Sequence, residues 1–571
     1  MKEIFLQHKL LLQLVLISLG VGVGLWLLWF LILGQPLIGI DDASIFKVYA
    51  QNLTHGLGFV YQPGGPRVEG FTSMLYLLLL TSIYKIVGNL DWAGLLLSFS
   101  LYLTSQVLMV LIVWRFVQKQ TTVVQQWLVG LSIAWIIASP FYTIWLGLAQ
   151  MDVSLWTCLV LACVLWCVYA KKRNHSWYLA SGVLIQMALV LTRPEGMLLA
   201  GVPVLALVVQ RLVKDNKVNK NSWIGEILLF CSWFVAVGSI TAFREWYFGW
   251  PLPNTYYAKV SPDLVYRLTE GFRYLWSMLI RQPFLFLVIP LLLRLFFKVL
   301  HSDKSEVIVL IVVAVLTVIP IFNGGDHFAG WRFYQPLWPL LGIGVTLYLQ
   351  QYHQQLLNRL QPGMVMLVVL PIVATLFLVM QPAIFRAGRL GLREFSTEFV
   401  IASENRTLGS MLSDWPLGTE EGRPAVGVIT AGSFALTYQG TTFDLLGLNE
   451  LSIAHDGGQR KGLKNHASLD AKITLEQQPE LLFPTLTAFG EVERKPVSRQ
   501  VFFYNRLFAE ALMLDERFRS VYQPVWFARK VRADQVLSPK TEGVVAFVRA
   551  DYLEQLSNDT LFEVRVLEFS D

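Results

Sequence analysis

The sequence predicts a polytopic α-helical membrane protein that ends in a soluble α/β domain, and three observations lead there. Of 571 residues, 54% are hydrophobic and 15% charged, with a mean hydropathy of +0.51; soluble domains run nearer a quarter charged. Apolar runs long enough to cross a bilayer recur along most of the chain. The charge then changes character. Residues 1–382 hold 25 Lys/Arg against 15 Asp/Glu, net +10, whereas residues 383–571 hold 21 against 25, net −4. The first stretch reads as a transmembrane domain. The second has the charge density of a soluble domain and the length to bury its own core. This balance excludes a disordered, collagen-like or coiled-coil protein and argues against a soluble enzyme. Because the basic excess lies in the membrane part, it gives no reason to expect a nucleic-acid partner.

The elements follow in order. The run at 10–33 is too long for the apolar region of a signal peptide and lacks a small-residue cleavage site, so it reads as a retained helix. Further spans centre on 92–114, 123–139, 151–170, 177–192, 196–212, 223–243, 283–300, 306–322, 334–350 and 364–381, which makes about 11. Residues 71–87 decide the topology. If they lie against the outer face without crossing, Arg115, Lys119, Lys171–Arg173, Arg211–Lys220, Arg294–Lys304 and Arg359 all fall on the side of Lys2 and Lys9. That is the arrangement the positive-inside rule favours. Residues 264–281, with Arg267, Arg273 and Arg281 among aromatics, read as a second interfacial helix. The N-terminus is then cytoplasmic and the C-terminal domain extracytoplasmic. Cys158, Cys163, Cys167 and Cys231 sit in apolar runs and read as small membrane-helix residues.

This topology gathers the acidic residues on the outer face. Asp41, Asp42, Glu69, Asp152, Glu195 and Asp326 land there beside Arg193, Lys259, His327 and Arg332. Charges at helix ends in a membrane are costly unless solvated, paired or used. In the first outer loop, 34–91, a helix over 43–54 is expected, with Asp42 as its N-cap. Capping is also a sufficient reading of Asp152, and Arg193 and Glu195 in LTRPEG are able to pair with each other. Asn254 and Lys259 lie in a Pro- and Tyr-rich outer loop, and Asp326, His327 and Arg332 on a Gly-rich turn. Taken together, two carboxylates suit general-base work and metal binding, and three cations suit a phosphate. The pattern points to group transfer from a lipid phosphate carrier to an acceptor outside.

Four ordered blocks, DDASIFKVYAQNLTHGLGFVYQPGGPRVEGFTS, LTRPEG, LPNTYYAK and GGDHFAGWRFYQPLWPLL, resemble the membrane-embedded GT-C glycosyltransferases, and among them the branch of the mycobacterial terminal arabinofuranosyltransferase. The resemblance spans residues 1 to about 350 and continues weakly in VGVITAGSFALTYQGTTFDLLGLNE. It implies a GT-C-like domain of about 11 transmembrane helices and inversion at the anomeric carbon. It also implies a polyprenyl-phosphate sugar donor, arabinofuranose or another pentose or hexose, and a bacterial inner membrane with a periplasmic site. Carried onto this chain, Asp41 is the expected base, Asp42 its neighbour or a metal ligand, and Asp152 the second acidic position. Arg193, Lys259 and Arg332 are expected to hold the donor phosphate, with Glu69, Glu195 and Asn254 in the substrate site. Asp326 or His327 joins Asp42 on a divalent cation (Mg, Mn, Ca or Zn), if one is used. The acceptor is an envelope glycan, a glycolipid or an exported protein, and membrane lipids are partners. Two positions depart from the family pattern: Thr430 stands where an acidic residue is common, and GLAQMD replaces the usual Gly-Leu/Met-Glu-Thr.

The tail alternates strand-like runs (VGVITA, TTFDLLGL, ELLFP, SVYQPVWFARKV, GVVAFVRA) with helical stretches over 394–412 and 503–515. It carries no catalytic motif, so binding the acceptor or shielding the site is what its position suggests. The alternative class is a membrane transporter, or a lipid-phosphate-binding partner without transferase chemistry. Transporters place ionisable groups near the midplane within internal repeats; here the charges collect at one face and no inverted repeat is visible.

Overall fold

The computed structural model describes residues 2–34, 36–137, 139–169, 176–214, 223–283, 285–299, 305–352, 388–413, 422–456, 470–483, 512–529, 544–557 and 562–568. The membrane part opens with α1 (Lys2–Leu33) and α2 (Asp41–Thr54), then α3 (Met74–Val87), α4 (Leu90–Val117), α5 (Thr122–Ile137) and α6 (Pro140–Gly147). It continues through α7 (Val153–Val168), α8 (Ser176–Thr192), α9 (Gly196–Leu199), α10 (Val202–Lys214), α11 (Ile224–Phe248) and α12 (Asn254–Lys259). It closes with α13 (Leu264–Arg281), α14 (Leu285–Val299), α15 (Ser305–Phe322) and α16 (Leu337–Tyr352). Ten of the eleven expected spans coincide with these helices, and the run at 364–381 lies outside the described residues.

Length sorts the helices. Among the described residues, Phe5–Leu33, Leu90–Val117 and Ile224–Phe248 are long and apolar enough to cross a bilayer unaided. Two bent pairs, α5 with α6 at 72° and α13 with α14 at 108°, raise the number to five. Val153–Val168, Ser176–Thr192 and Val307–Phe322 are apolar but shorter, so length alone does not make each expected span a full crossing. Helix α3 has 14 residues, about 21 Å against a hydrocarbon core of about 30 Å, which suits a juxtamembrane helix. Both its ends are defined locally. The Ser73 side chain accepts from the Tyr76 amide, and Gly88 closes the helix at φ 73°, a conformation that costs glycine nothing. In α13, Val265, Phe272, Trp276 and Ile280 are exposed while Gly271, Tyr274 and Met278 are buried, the amphipathic pattern of a helix lying at an interface. Helix α7 is buried on nearly every face and forms the centre of the bundle.

The tail contains α17 (Gly388–Ser413), α18 (Ala431–Thr437), α19 (Leu451–His455), α20 (Ala471–Gln477), α21 (Glu516–Val521) and α22 (Ala550–Ser557). Its strands are β1 (Val426–Val428), β2 (Thr442–Asp444), β3 (Leu481–Phe483), β4 (Tyr522–Arg529), β5 (Val544–Arg549) and β6 (Phe562–Val566). They form one sheet in the order β2-β1-β3-β5-β4-β6. Strands β1, β2 and β3 run parallel and the remaining pairs antiparallel. The three parallel strands are buried along their whole length, as strands covered on both faces must be. Five of the six match the expected strand runs. The expected helix over 394–412 falls within α17, and most of 503–515 lies outside the described residues.

One face of the sheet packs on its own core of Ile429, Phe443, Leu446, Leu482, Phe518 and Phe547. The other does not close on itself. Val428, Ala431, Phe434, Leu448 and Phe483 belong to the same continuous core as Ile45, Tyr49, Phe71 and Trp145 of the membrane part. Polar contacts join the same surfaces: Arg406 on α17 donates to Asp91 at 2.7 and 2.8 Å, and Asp91 also pairs with Lys47 at 2.7 Å.

Candidate active site

The first turn of α2 carries two consecutive aspartates. Neighbours in an α-helix are rotated by about 100°, so their side chains leave in different directions. The expected N-cap is corrected here. The helix starts at Asp41, Ile40 occupies the extended cap position, and no side chain caps the turn. Asp42 points into a cavity of about 720 Å³, while Asp41 points at the tail. Asp42 Oδ2 lies 3.6 Å from Lys259 Nζ and 3.5 Å from Arg332 Nη1. Burial works against the Asp42 charge, but Lys259, Arg332 and His327 outweigh it and hold the carboxyl below its ordinary range.

Arg332 is set by the turn before it. Trp331 adopts φ 50°, ψ 61°, a left-handed conformation rare for a bulky residue, and starts the short 3-10 turn Arg332–Tyr334. Gly325 at φ 74° approaches Tyr274 so closely that a Cβ would lie 2.5 Å from that side chain. Arg332 donates to Asp326 at 3.0 Å, approaches its second oxygen at 2.8 Å, and lies 4.5 Å from the Phe328 ring centroid. Burial raises the Asp326 carboxyl, but Arg332 and His327 pull it down to about 2.

A second ionic group forms the opposite side. Asp152 precedes α7 but makes no capping bond; it accepts from Arg193 Nη1 at 3.0 Å. Arg193 Nε donates to Glu195 at 3.3 Å, and Asn323 Nδ2 donates to the other Glu195 oxygen at 2.8 Å. Gln150, at φ 59°, holds this loop by donating to Leu37 O at 2.7 Å. The cavity continues from the charged end along an apolar wall of α15, through Val315, Val318, Ile319 and Phe322, with Leu198 beside them.

Of the expected site residues, Asp42, Asp152, Arg193, Glu195, Lys259 and Arg332 line this one cavity. The other five do not. Asp41 accepts from the Ser433 amide at 2.7 Å and the Gly432 amide at 3.4 Å; burial first, and then the Asp42 charge, push its carboxyl up to about 6 despite these bonds. Glu69 is 1% exposed and held by Arg244 at 2.9–3.1 Å, which fixes the return of the first outer loop. Asn254 donates to Gly447 O and Leu448 O at 2.9 Å, tying α12 to the tail. Asp326 stands behind Arg332, and His327 beside Asp326 at 3.5 Å.

These residues also bear on the expected cation. Among the described residues no three His, Cys, Asp or Glu side chains gather as ligands, and Arg332 already bridges Asp42 and Asp326. Asp42, Asp326 and His327 therefore do not fit a resident divalent ion, and no step below passes through one.

Sequence reasoning missed Asn323 and Leu448, which line the cavity, and Glu398 on α17. Glu398 is pushed up to about 8 by burial and then by the charges of Asp42 and Asp41. Leu448 lies within the quoted DLLGLNE and Asn323 immediately before the quoted GGDH, yet nothing local marks either as cavity-lining.

The fold is similar to that of an oligosaccharyltransferase of known structure. The apo crystal structure of the Archaeoglobus fulgidus oligosaccharyltransferase matches with a TM-score of 0.50 at 12% identity, over 94% of this chain and 76% of that one. ArnT from Cupriavidus metallidurans, bound to undecaprenyl phosphate and in the apo state, matches at 0.49 with 12% and 13% identity, over 82% of this chain and 93% of that one. The likeness is one of fold and does not bear on the arabinofuranosyltransferase branch. No protein family and no curated protein matches the sequence.

Proposed function

We propose that the chain is an inverting membrane glycosyltransferase that moves a sugar from a polyprenyl-phosphate carrier to an acceptor hydroxyl, with Asp42 as general base. The observation that supports this best is a carboxylate held between two cations at the charged end of an apolar cavity. A prenyl chain suits the α15 wall, and a phosphodiester suits Lys259, Arg193 and Arg332.

The step is a single displacement. Asp42 takes the proton of the acceptor hydroxyl as its oxygen bonds to the anomeric carbon. The carbon–oxygen bond to phosphate breaks on the opposite face through an oxocarbenium-like transition state, and the electron pair leaves with the lipid phosphate. The departing phosphate gains a second negative charge, which the fixed cations stabilise. Their attraction to phosphate also loosens their hold on Asp42 and raises its proton affinity when the base is needed.

In this reading the protein is a bacterial inner-membrane enzyme with its site outside, and arabinofuranose is the first sugar to try. An envelope glycan, a glycolipid and an exported protein are the acceptors to compare. The test is release of polyprenyl phosphate by reconstituted protein from a panel of short-chain polyprenyl-phosphate sugars, with acceptor extract present. Release in wild type and its loss in Asp42→Asn supports the reading. A folded wild type that releases nothing from any donor overturns it.

A further inference from the structure

We propose that Asp41 is a positioning residue: it latches the turn that carries Asp42 to α18 of the C-terminal domain, so that the tail sets the reactive carboxylate. This rests on the function proposed above. The first residues of α18 present unpaired backbone amides, as every helix N-terminus does. Thr430, in the cap position, makes no side-chain cap bond. Asp41, 391 and 392 residues away in sequence, accepts from Gly432 and Ser433 in its place. Its two carboxylate oxygens are engaged outside the cavity, and Asp41 is absent from the lining that contains Asp42.

Gly432 supplies an independent observation. A Cβ there would lie 2.1 Å from the Asp41 carbonyl oxygen and 3.0 Å from the Ile45 amide nitrogen. The backbones of α18 and the first turn of α2 are in contact, and only glycine permits it. The same turn is held at further points. Ser433 Oγ lies 3.0 Å from Ser44 Oγ, Tyr61 donates to Ala431 O, and Arg406 of α17 donates to Ser44 at 3.4 Å. The tail thus grips the residues on either side of Asp42, and a misplacement of about 1 Å at a reacting group costs on the order of 10²-fold in rate.

The experiment uses the full chain in lipid nanodiscs, with release of polyprenyl phosphate from a short-chain polyprenyl-phosphate sugar as one readout. Hydrogen exchange at the Gly432 and Ser433 amides is the other. Asp41→Asn keeps an oxygen to accept from Ser433, so it should stay within about tenfold of wild type and leave the pH profile of release unchanged. Asp41→Ala should lower kcat on the order of 10²-fold with little change in donor KM, and should lose exchange protection. Gly432→Ala, which alters no side chain of the membrane part, should reproduce Asp41→Ala in both readouts. The proposal is overturned if Asp41→Asn is as damaging as Asp41→Ala while Gly432→Ala is harmless, because Asp41 would then serve the proton transfer. It is also overturned if exchange protection is equal in all four proteins. A wild type that releases nothing from any donor overturns the proposed function instead, and the exchange pattern still decides whether the latch exists.

Discussion

Asp42 and Asp41 adjoin in sequence, are both partly buried, and differ in their partners and in the direction their carboxyls shift. Asp42 faces the cavity and pairs with Lys259 and Arg332. General-base help is worth about 10²–10⁴-fold, so Asp42→Asn should lower kcat for polyprenyl phosphate release by that factor while the protein stays folded. Its carboxyl lies below the ordinary range in the free enzyme. The base is therefore ionised through neutral and mildly acidic pH, and kcat/KM should show no acid limb above about pH 4; an acid limb near pH 6 would instead implicate Asp41. Glu398 behaves oppositely. Its carboxyl moves from an ordinary 4.5 up to about 8 on burial, so the folded protein keeps a proton that the unfolded chain has released. Stability then falls as pH rises through that window. Glu398→Gln cannot lose the proton, so the gap in melting temperature between it and wild type should be larger at pH 9 than at pH 5; a pH-independent gap would contradict this. The sequence brought both aspartates to the site with Asp41 as the expected base, whereas Asp42 is the one that lines the cavity. That depends on which way the first turn of α2 faces, and the turn is fixed by Ser433 and Gly432 far along the chain.

At the scale of elements, apolar periodicity and charge placement identified nearly all the described membrane helices, because a helix in lipid must satisfy its own backbone. Helix α3 was readable as a helix, and at 14 residues it is as short as the juxtamembrane expectation requires. Strand β6 was missed: FEVRV is a short, charged strand that among the described residues pairs only with β4, and such edges carry little apolar signal. Asn254 and Glu69 lie outside the cavity lining for a related reason. Polar residues in loops read as substrate contacts, whereas these two tie loops together, Asn254 to the tail and Glu69 to Arg244. Helix α15 supplies a prediction at this scale. Its Val318 is half-exposed on the cavity wall, so Val318→Glu would set a carboxylate against the prenyl chain. Burying an unpaired polar group costs about 1–3 kcal/mol, and donor KM should rise by about tenfold or more for long-chain donors and less for short ones. Equal effects at all chain lengths would place the lipid elsewhere.

At the scale of the whole molecule, one continuous core joins the membrane part to one face of the tail's sheet. The membrane part supplies the cavity, the cations and Asp42; the tail supplies Leu448 in the cavity wall and the amides that hold Asp41. The change in charge density suggested where the chain divides, but the sequence assigned the tail no role beyond position. The buried contacts of Ala431, Phe434 and Leu448 with the membrane part connect residues hundreds of positions apart. The measurement that tests this account most directly is kcat for polyprenyl phosphate release in wild type, Asp42→Asn and Asp41→Asn, side by side with one working donor. Asp42→Asn should lose about 10²–10⁴-fold, and Asp41→Asn should stay within about tenfold of wild type. The reverse order, with Asp41→Asn inactive and Asp42→Asn active, would contradict this account.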